Sequence, residues 1–158
     1  MRWRQLLFLF LVPITLHGCG LGLMHAADSG DMLAVSSLLD QPFDVNAKFP
    51  ILGSSPLILA AAKGHQAMVS LLLDRGAHIN ATDFSGWTPL HAAIYGGHAE
   101  VVQLLLERGA QLEYPNHWYL ASPVALAESL ALDSDDRKKV VAVLRSFKAD
   151  LAAQRHEW

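Results

Sequence analysis

The chain has 158 residues, which is enough for one domain of ordinary size. Hydrophobic residues make up 52% of it and charged residues 17%, which excludes a disordered chain and predicts a sizeable buried core. The formal charge of −3 at pH 7 excludes the basic surface that attracts nucleic acids or anionic membranes. We therefore expect partners to be recognised by shape and apolar contact.

The N-terminal segment has the pattern of an export signal. Arg2 and Arg4 precede an uncharged apolar run from Leu6 to Leu16. This run is shorter than the roughly 20 apolar residues that a membrane-spanning helix needs, and Pro13 interrupts it. The pattern predicts a signal peptide over residues 1–18 that is cleaved.

The only cysteine of the chain follows this segment. The stretch Leu16-His17-Gly18-Cys19 resembles the bacterial lipobox, with histidine at a position that is usually small and uncharged. The resemblance implies cleavage before Cys19, lipidation of its thiol, and a short tether over residues 19–22. Cleavage after Ala26 or Ala27 and a cysteine without lipid are the alternatives.

The rest of the chain repeats itself at intervals of 33 or 34 positions. The stretch Ser55 to Asn80 aligns with Thr88 to Glu113, 33 positions later. Leu23 to Asn46 aligns with Leu57 to Asn80, and Ser122 to Phe147 is a degraded copy of the same pattern. The alignment predicts repeats over residues 23–53, 54–84 and 85–116, followed by a degenerate fourth repeat and C-terminal cap over 117–158.

The third copy shows the helix signals most clearly. Thr88 is a helix N-cap, Pro89 suits the first helical position, and Gly96-Gly97 favours a left-handed helix end. A second, strongly apolar helix is predicted from Ala99 to Arg108, and Gly109 ends it. One copy alone could not bury these apolar faces, so neighbouring copies must cover them.

The combination of T-P-L-H, an A-A pair, G-H, V-V-x-L-L-L and G-A at this period resembles the ankyrin repeat. The resemblance implies an all-α solenoid of about four helix-turn-helix repeats with projecting loops. It also implies a concave face that binds a protein partner, with no catalytic site, cofactor or small-molecule substrate belonging to the fold.

The histidines recur once per repeat, which spaces them along the stack instead of gathering them as metal ligands. We interpret His65, His91 and His98 as structural residues whose hydrogen bonds hold turns and successive repeats together. An envelope hydrolase that uses His91 or His98 is the alternative from another functional class.

Aromatic residues occupy the positions that the repeat leaves variable. The predicted partner-binding residues are those of the third copy and of the loop that follows it: Phe84, Ser85, Trp87, Tyr95, Tyr114 and Tyr119. Gly96 is variable too, and Phe49, Ile51 and Trp118 lie on neighbouring loops. Phe49 and Trp118 fit a filler role between loops equally well.

The last segment has the pattern of a cap. Ser134 is a predicted N-cap, and an apolar stripe follows at helical spacing, formed by Val140, Val143, Leu144, Phe147 and Leu151. The opposite face is polar, as the end of a solenoid requires.

Together these patterns predict a non-enzymatic protein-binding module that is exported by a bacterium. We expect it in the periplasm, anchored by lipid to the outer or inner membrane, where it protects, supports or masks a protein. A soluble periplasmic or secreted form is the alternative location. An immunity protein that neutralises a delivered toxin is the alternative role.

Overall fold

A computed structural model describes residues 22–40, 44–112, 122–130 and 134–155, apart from the side chains of 154 and 155. Across these ranges the ordered elements are all helices, and there is no strand. The helices are α1 (22–29), α2 (Met32–Leu39), α3 (Pro56–Ala62), α4 (Gln66–Asp74), α5 (Pro89–Gly96), α6 (Ala99–Glu107), α7 (Pro123–Leu130) and α8 (Asp135–Arg155). The predicted all-α solenoid of helix pairs is confirmed.

The helices begin and end at the residues that the sequence indicates. Ser55 and Thr88 accept hydrogen bonds from backbone N–H groups three residues later, and a proline follows each of them. His91 Nδ1 also accepts a hydrogen bond from the Thr88 backbone N–H, which completes a capping box. Gly97 ends α5 in the left-handed conformation at φ 78°, which a side chain would disfavour.

The helices form two rows. In the inner row α3 packs on α5 and α5 on α7, while in the outer row α4 packs on α6 and α6 on α8. Alanine pairs make the close approach of inner helices possible, since Ala60, Ala61 and Ala93 are fully buried. Leucines and valines of the outer row fill the space between the rows, so each repeat is covered by its neighbours.

Hydrogen bonds between repeats hold the stack in register. His65 Nε2 lies 3.0 Å from the carbonyl oxygen of Asp28, and His98 Nε2 lies 3.0 Å from that of Ala62. Each bond joins a histidine to the inner helix of the preceding repeat. The structural interpretation of these two histidines is confirmed.

The projecting loops are short hairpin-like turns. The N–H of Phe49 bonds to the Ser54 carbonyl, whereas in the next loop the N–H of Asp83 bonds to the Trp87 carbonyl. The first loop is therefore one residue longer, in agreement with the eight residues from Ala47 to Ser54 and the seven from Ala81 to Trp87. A bond from the Phe84 N–H to the Leu52 carbonyl, 3.1 Å long, joins the two loops.

The two ends of the described solenoid differ. At the C-terminal end the Ser134 side chain accepts from the Arg137 N–H, and Val140 and Leu144 of α8 are buried. At the N-terminal end residue 22, expected in the tether, is already helical. Its backbone lies against α2, where an added Cβ would be 3.7 Å from Leu38 Cδ1.

Candidate protein-binding surface

The side chains of Trp87 and Tyr95 form an aromatic pair along α5. Their ring centroids are 5.4 Å apart at an interplanar angle of 70°, an edge-to-face arrangement. Trp87 is half-buried, and 54% of Tyr95 remains exposed to solvent. The pair is therefore partly structural, yet it presents an aromatic surface beside the inner row of helices.

The C-terminal cap helps to position Tyr95. The Arg137 guanidinium lies 5.9 Å from the centre of the Tyr95 ring and donates a hydrogen bond of 3.3 Å to the Tyr95 carbonyl. Because Arg137 belongs to the first turn of α8, the cap and the aromatic pair are mechanically connected. The sequence pattern did not indicate this contact between the cap and the third repeat.

Phe84 lies in a different environment from the pair. Its ring packs over Gly53 of the preceding loop, where an added Cβ would come within 2.5 Å of the Phe84 ring. Together with Ile51 and Leu52 it forms a group of exposed apolar side chains, called here the loop-tip cluster. The exposed fractions are 76% for Ile51, 58% for Leu52 and 69% for Phe84.

A hollow of about 380 Å³ opens between α1, α3 and the loop that joins the first two repeats. Its walls are mostly apolar, and its polar groups lie on α1 and the loop. The lining residues are Met24, His25, Asp28, Phe49, Leu52, Ser54 and Leu59. The Asp28 carboxylate at this site is 3.4 Å from Lys63 Nζ, an exposed pair that contributes little to stability.

The hollow has an explanation in the repeat alignment. Ser54 occupies the position that Trp87 occupies in the third repeat, 33 residues later. A hydroxymethyl group therefore stands where an indole stands in the next repeat. Phe49, for which filling and binding roles were both considered, is half-buried and forms part of the wall. Comparing loop positions between the copies would have indicated this hollow from sequence.

The other predicted site residues divide into two groups. Ser85 lies exposed at the loop tip, and its N–H donates to Asp83 Oδ1 at 2.8 Å. Cys19, Tyr114, Trp118 and Tyr119 lie outside the residues that the structure describes.

Gly96 is exposed but cannot carry a side chain that would contact a partner. A Cβ there would lie 2.8 Å from the carbonyl oxygen of Ala62 and closer still to the His98 ring. The close approach of two repeats requires glycine at this position.

The imidazole of His91 is committed to the fold. It is 2% exposed, and its Nδ1 lies 2.8 Å from the Thr88 hydroxyl. Among the described residues, no three His, Cys, Asp or Glu side chains are grouped as metal ligands. The same residues include no helix of the length and apolar character needed to cross a membrane.

Comparison with known proteins agrees with the repeat geometry. The family model "Ankyrin repeats (3 copies)" matches residues 23–116. The chain belongs to the ankyrin-repeat family. Ankyrin repeats are protein-interaction modules without catalytic chemistry of their own, so protein binding is the general function of this ankyrin-repeat protein.

Similar curated proteins are much longer than the region they share with this ankyrin-repeat protein. The E3 ubiquitin-protein ligase XBAT33 of Arabidopsis thaliana is 45% identical over 77 residues, which are 45% of this chain and 15% of the ligase. The probable E3 ubiquitin-protein ligase XBOS33 of Oryza sativa subsp. japonica is 43% identical over 76 residues, 45% of this chain and 14% of that protein. The likeness covers a small part of each relative.

Proposed function

We propose that this ankyrin-repeat protein is a non-catalytic binding module of the bacterial envelope that holds a protein partner on its inner face. The inner face comprises the inner helices and the loops beside them. The single observation that carries the proposal is the half-exposed Trp87–Tyr95 pair on this face. Exposed aromatic rings on a rigid support are common sites of strong binding contacts between proteins.

The hollow supports the same assignment. It is apolar, it lies in the same row of loops and inner helices, and its volume suits one large side chain of a partner. A partner that contacts both the aromatic pair and the hollow would be recognised by its shape, in agreement with the weak net charge of the chain. The aromatic pair would then form one anchor and the hollow another.

An envelope location is proposed from the N-terminal sequence. The apolar run from Leu6 to Leu16 and the lipobox-like stretch ending at Cys19 support export and lipid attachment. Lipid attachment would restrict this module to partners at or near the membrane surface. Its role there would be to support, protect or mask the partner.

The environments of the histidines disfavour a hydrolase. His91 Nδ1 is bonded to Thr88 inside the fold, and the His98 ring is held against Ala62 between repeats. Neither imidazole is placed to act as a general base on an external substrate. The match to plant ligases covers 15% of XBAT33, so it supports a shared interaction module and gives no support for ligase activity in this chain.

Site-specific photocrosslinking tests the proposal. We would place benzoylphenylalanine at His25, an exposed residue beside the hollow, and at Gln103, an exposed residue of the outer row. The chain would be expressed in its native envelope and crosslinked in whole cells. We expect one discrete adduct from position 25 and none from position 103.

Two variants connect that adduct to the inner face. Tyr95→Ala removes the exposed ring, and Ser54→Trp fills the hollow with the residue that the next repeat carries. Loss of a hot-spot contact of about 2 kcal/mol weakens binding roughly thirtyfold, so each variant should strongly reduce the adduct. Variants would be matched by melting temperature, and equal adducts from positions 25 and 103 would refute inner-face binding.

A further inference from the structure

The loop-tip cluster is the most exposed group of large apolar side chains that adjoin one another in the described chain. Ile51, Leu52 and Phe84 come from two neighbouring loops that the Phe84 N–H to Leu52 carbonyl bond holds together. The cluster is therefore a fixed apolar surface instead of three unrelated side chains. Single exposed apolar residues need no explanation, but an adjoining group at the edge of a fold indicates a contact surface.

Most backbone N–H groups of the two loops are hydrogen-bonded within the protein. The N–H groups of Phe49, Gly53 and Phe84 donate to the carbonyls of Ser54, Phe49 and Leu52, respectively. In the second loop the N–H groups of Ser85 and Trp87 both donate to Asp83 Oδ1. Tips satisfied in this way can enter a water-poor layer with few unpaired donors, which would otherwise be costly.

Charged groups lie at the bases of the tips, where the Asp83 carboxylate accepts from the N–H groups of Ser85 and Trp87, and the tips beyond them are uncharged. Residues 49–62 and 84–99 contain no Asp, Glu, Lys or Arg. Lys48, which precedes Phe49, bonds through Nζ to the Thr82 carbonyl at 2.8 Å, also at the base of the tips. A protein interface usually surrounds its apolar centre with a polar rim. The uncharged tips match the interfacial layer of a bilayer more closely.

The proposed lipid anchor would be attached close to the same edge of the stack, where residue 22 begins the first inner helix. The loops run into the N-terminal ends of the inner helices, and Cys19 precedes the helical residue 22 of the first inner helix by three positions. Three residues extend at most about 11 Å. In the repeat alignment Leu23 matches Leu57, so Cys19 matches Gly53, the glycine under the Phe84 ring.

From these observations we infer that the loop-tip cluster inserts into the surface layer of a phospholipid bilayer beside the lipid on Cys19. The inference rests on the proposed lipid attachment and deepens it, because it states which edge of the solenoid faces the membrane. It assigns Phe84 to lipid contact. Trp87, Tyr95 and the part of the hollow lined by α1 and α3 remain for the protein partner, while Leu52, which also lines the hollow, lies at the boundary between the two surfaces.

Insertion of apolar side chains supplements the attachment by lipid chains. Fixing the loop edge on the bilayer would hold the stack in one orientation, since a lipid on a short tether alone leaves it able to rotate. The inner face would then stay at a constant height above the surface. Partners embedded in the membrane or lying on it would be presented to the inner face repeatedly in the same way.

A fluorescent thiol label measures this contact. The processed chain would be purified from the envelope with Ile51→Cys, Phe84→Cys or the control Gln103→Cys, and labelled with a nitrobenzoxadiazole maleimide. Each form would be placed in vesicles of phosphatidylethanolamine with a minor fraction of phosphatidylglycerol. We expect blue-shifted emission from positions 51 and 84 that a bilayer-embedded nitroxide lipid quenches. Position 103 should be quenched by aqueous iodide.

The wild-type chain separates the failure of the inference from the failure of the anchor. An unlabelled wild type whose intact mass shows lipid on Cys19 supports the anchor, whereas a labelled wild type, or a mass that shows cleavage after Ala26 or Ala27, would remove the lipid anchor from the proposed function. Positions 51 and 84 would then be measured in a Cys19→Ala background, where a blue shift would show that the tips contact the membrane without a lipid anchor. An unshifted spectrum there would overturn the membrane contact of the tips as well as the lipid anchor.

Three results would overturn the inference even with Cys19 lipidated. The first is emission from positions 51 and 84 that matches that of position 103. The second is quenching of position 103 by the nitroxide lipid, because a different face would then lie on the membrane. The third is a blue shift that appears only when envelope proteins are added, which would assign the cluster to a protein partner.

Discussion

The His98→Ala variant tests the most specific contact between repeats. His98 Nε2 lies 3.0 Å from the Ala62 carbonyl of the preceding repeat, and the ring is packed against Gly64 and Gly96. Alanine removes both the hydrogen bond and the packing, while leaving α6 able to form. The loss therefore falls on the interface between the second and third repeats.

The magnitude follows from these two contributions. A partly buried hydrogen bond contributes about 1 kcal/mol net. Burial of part of the imidazole against the two glycines contributes about 1 kcal/mol more. We expect the free energy of unfolding to fall by about 2 kcal/mol, and Tm to fall by roughly 6 °C in a domain of this size.

Urea unfolding followed by far-UV circular dichroism measures this change. His78→Ala is the matched control, because the His78 side chain is exposed and its residue takes part between repeats through its backbone N–H. In a repeat protein a weakened interface also lowers cooperativity, so a shallower transition is expected. Unchanged stability in His98→Ala would refute the structural role, and loss of an enzymatic activity with unchanged melting would favour the hydrolase alternative.

Three further substitutions have expected outcomes. Gly64→Ala should destabilise the fold more than Gly76→Ala in urea unfolding. Both residues have positive φ, at 75° and 87°, but only at Gly64 does the added Cβ meet another side chain, 2.5 Å away. Equal effects of the two substitutions would contradict this packing. Thr88→Ala should cost about 1 kcal/mol in the same assay through loss of the N-cap of α5, and Thr88→Ser should recover most of it. Lys139→Ala should raise the Asp136 pKa in an NMR titration, because the hydrogen bond and charge of Lys139 hold that pKa below its ordinary value. The pair therefore favours the folded state at pH values above the ordinary carboxyl pKa. This contribution is lost as the pH falls through the lowered pKa of Asp136 in the folded state.

The secondary structure could be predicted from the sequence because helix caps and helix ends depend on local residue patterns. Ser55, Thr88 and Ser134 each cap a helix three residues before a bonded N–H, and this geometry depends only on nearby backbone. The repeat period then predicted the stacking, because identical helix pairs bury their apolar faces only against one another.

The site was only partly readable, because exposure depends on neighbours from other repeats. The sequence placed Phe84 and Trp87 in one predicted partner-binding site because both are aromatic. In the structure Phe84 packs on Gly53, whereas Trp87 pairs with Tyr95. Gly96 looked variable, although the adjacent Ala62 carbonyl leaves no room for a side chain. The contacts of Phe84 with Gly53 and of Gly96 with Ala62 join residues more than 30 positions apart, and no local pattern contains them.

The hollow and the loop-tip cluster show where the boundary lies. Residue types already specify that Ser54 is small and that Ile51, Leu52 and Phe84 are apolar and uncharged. Whether those side chains are covered depends on how closely the inner helices and loops of adjacent repeats approach. That approach is determined by packing between repeats. Local sequence therefore specifies the helices and the order of the repeats. The tertiary structure decides which side chains remain available to a partner or a membrane.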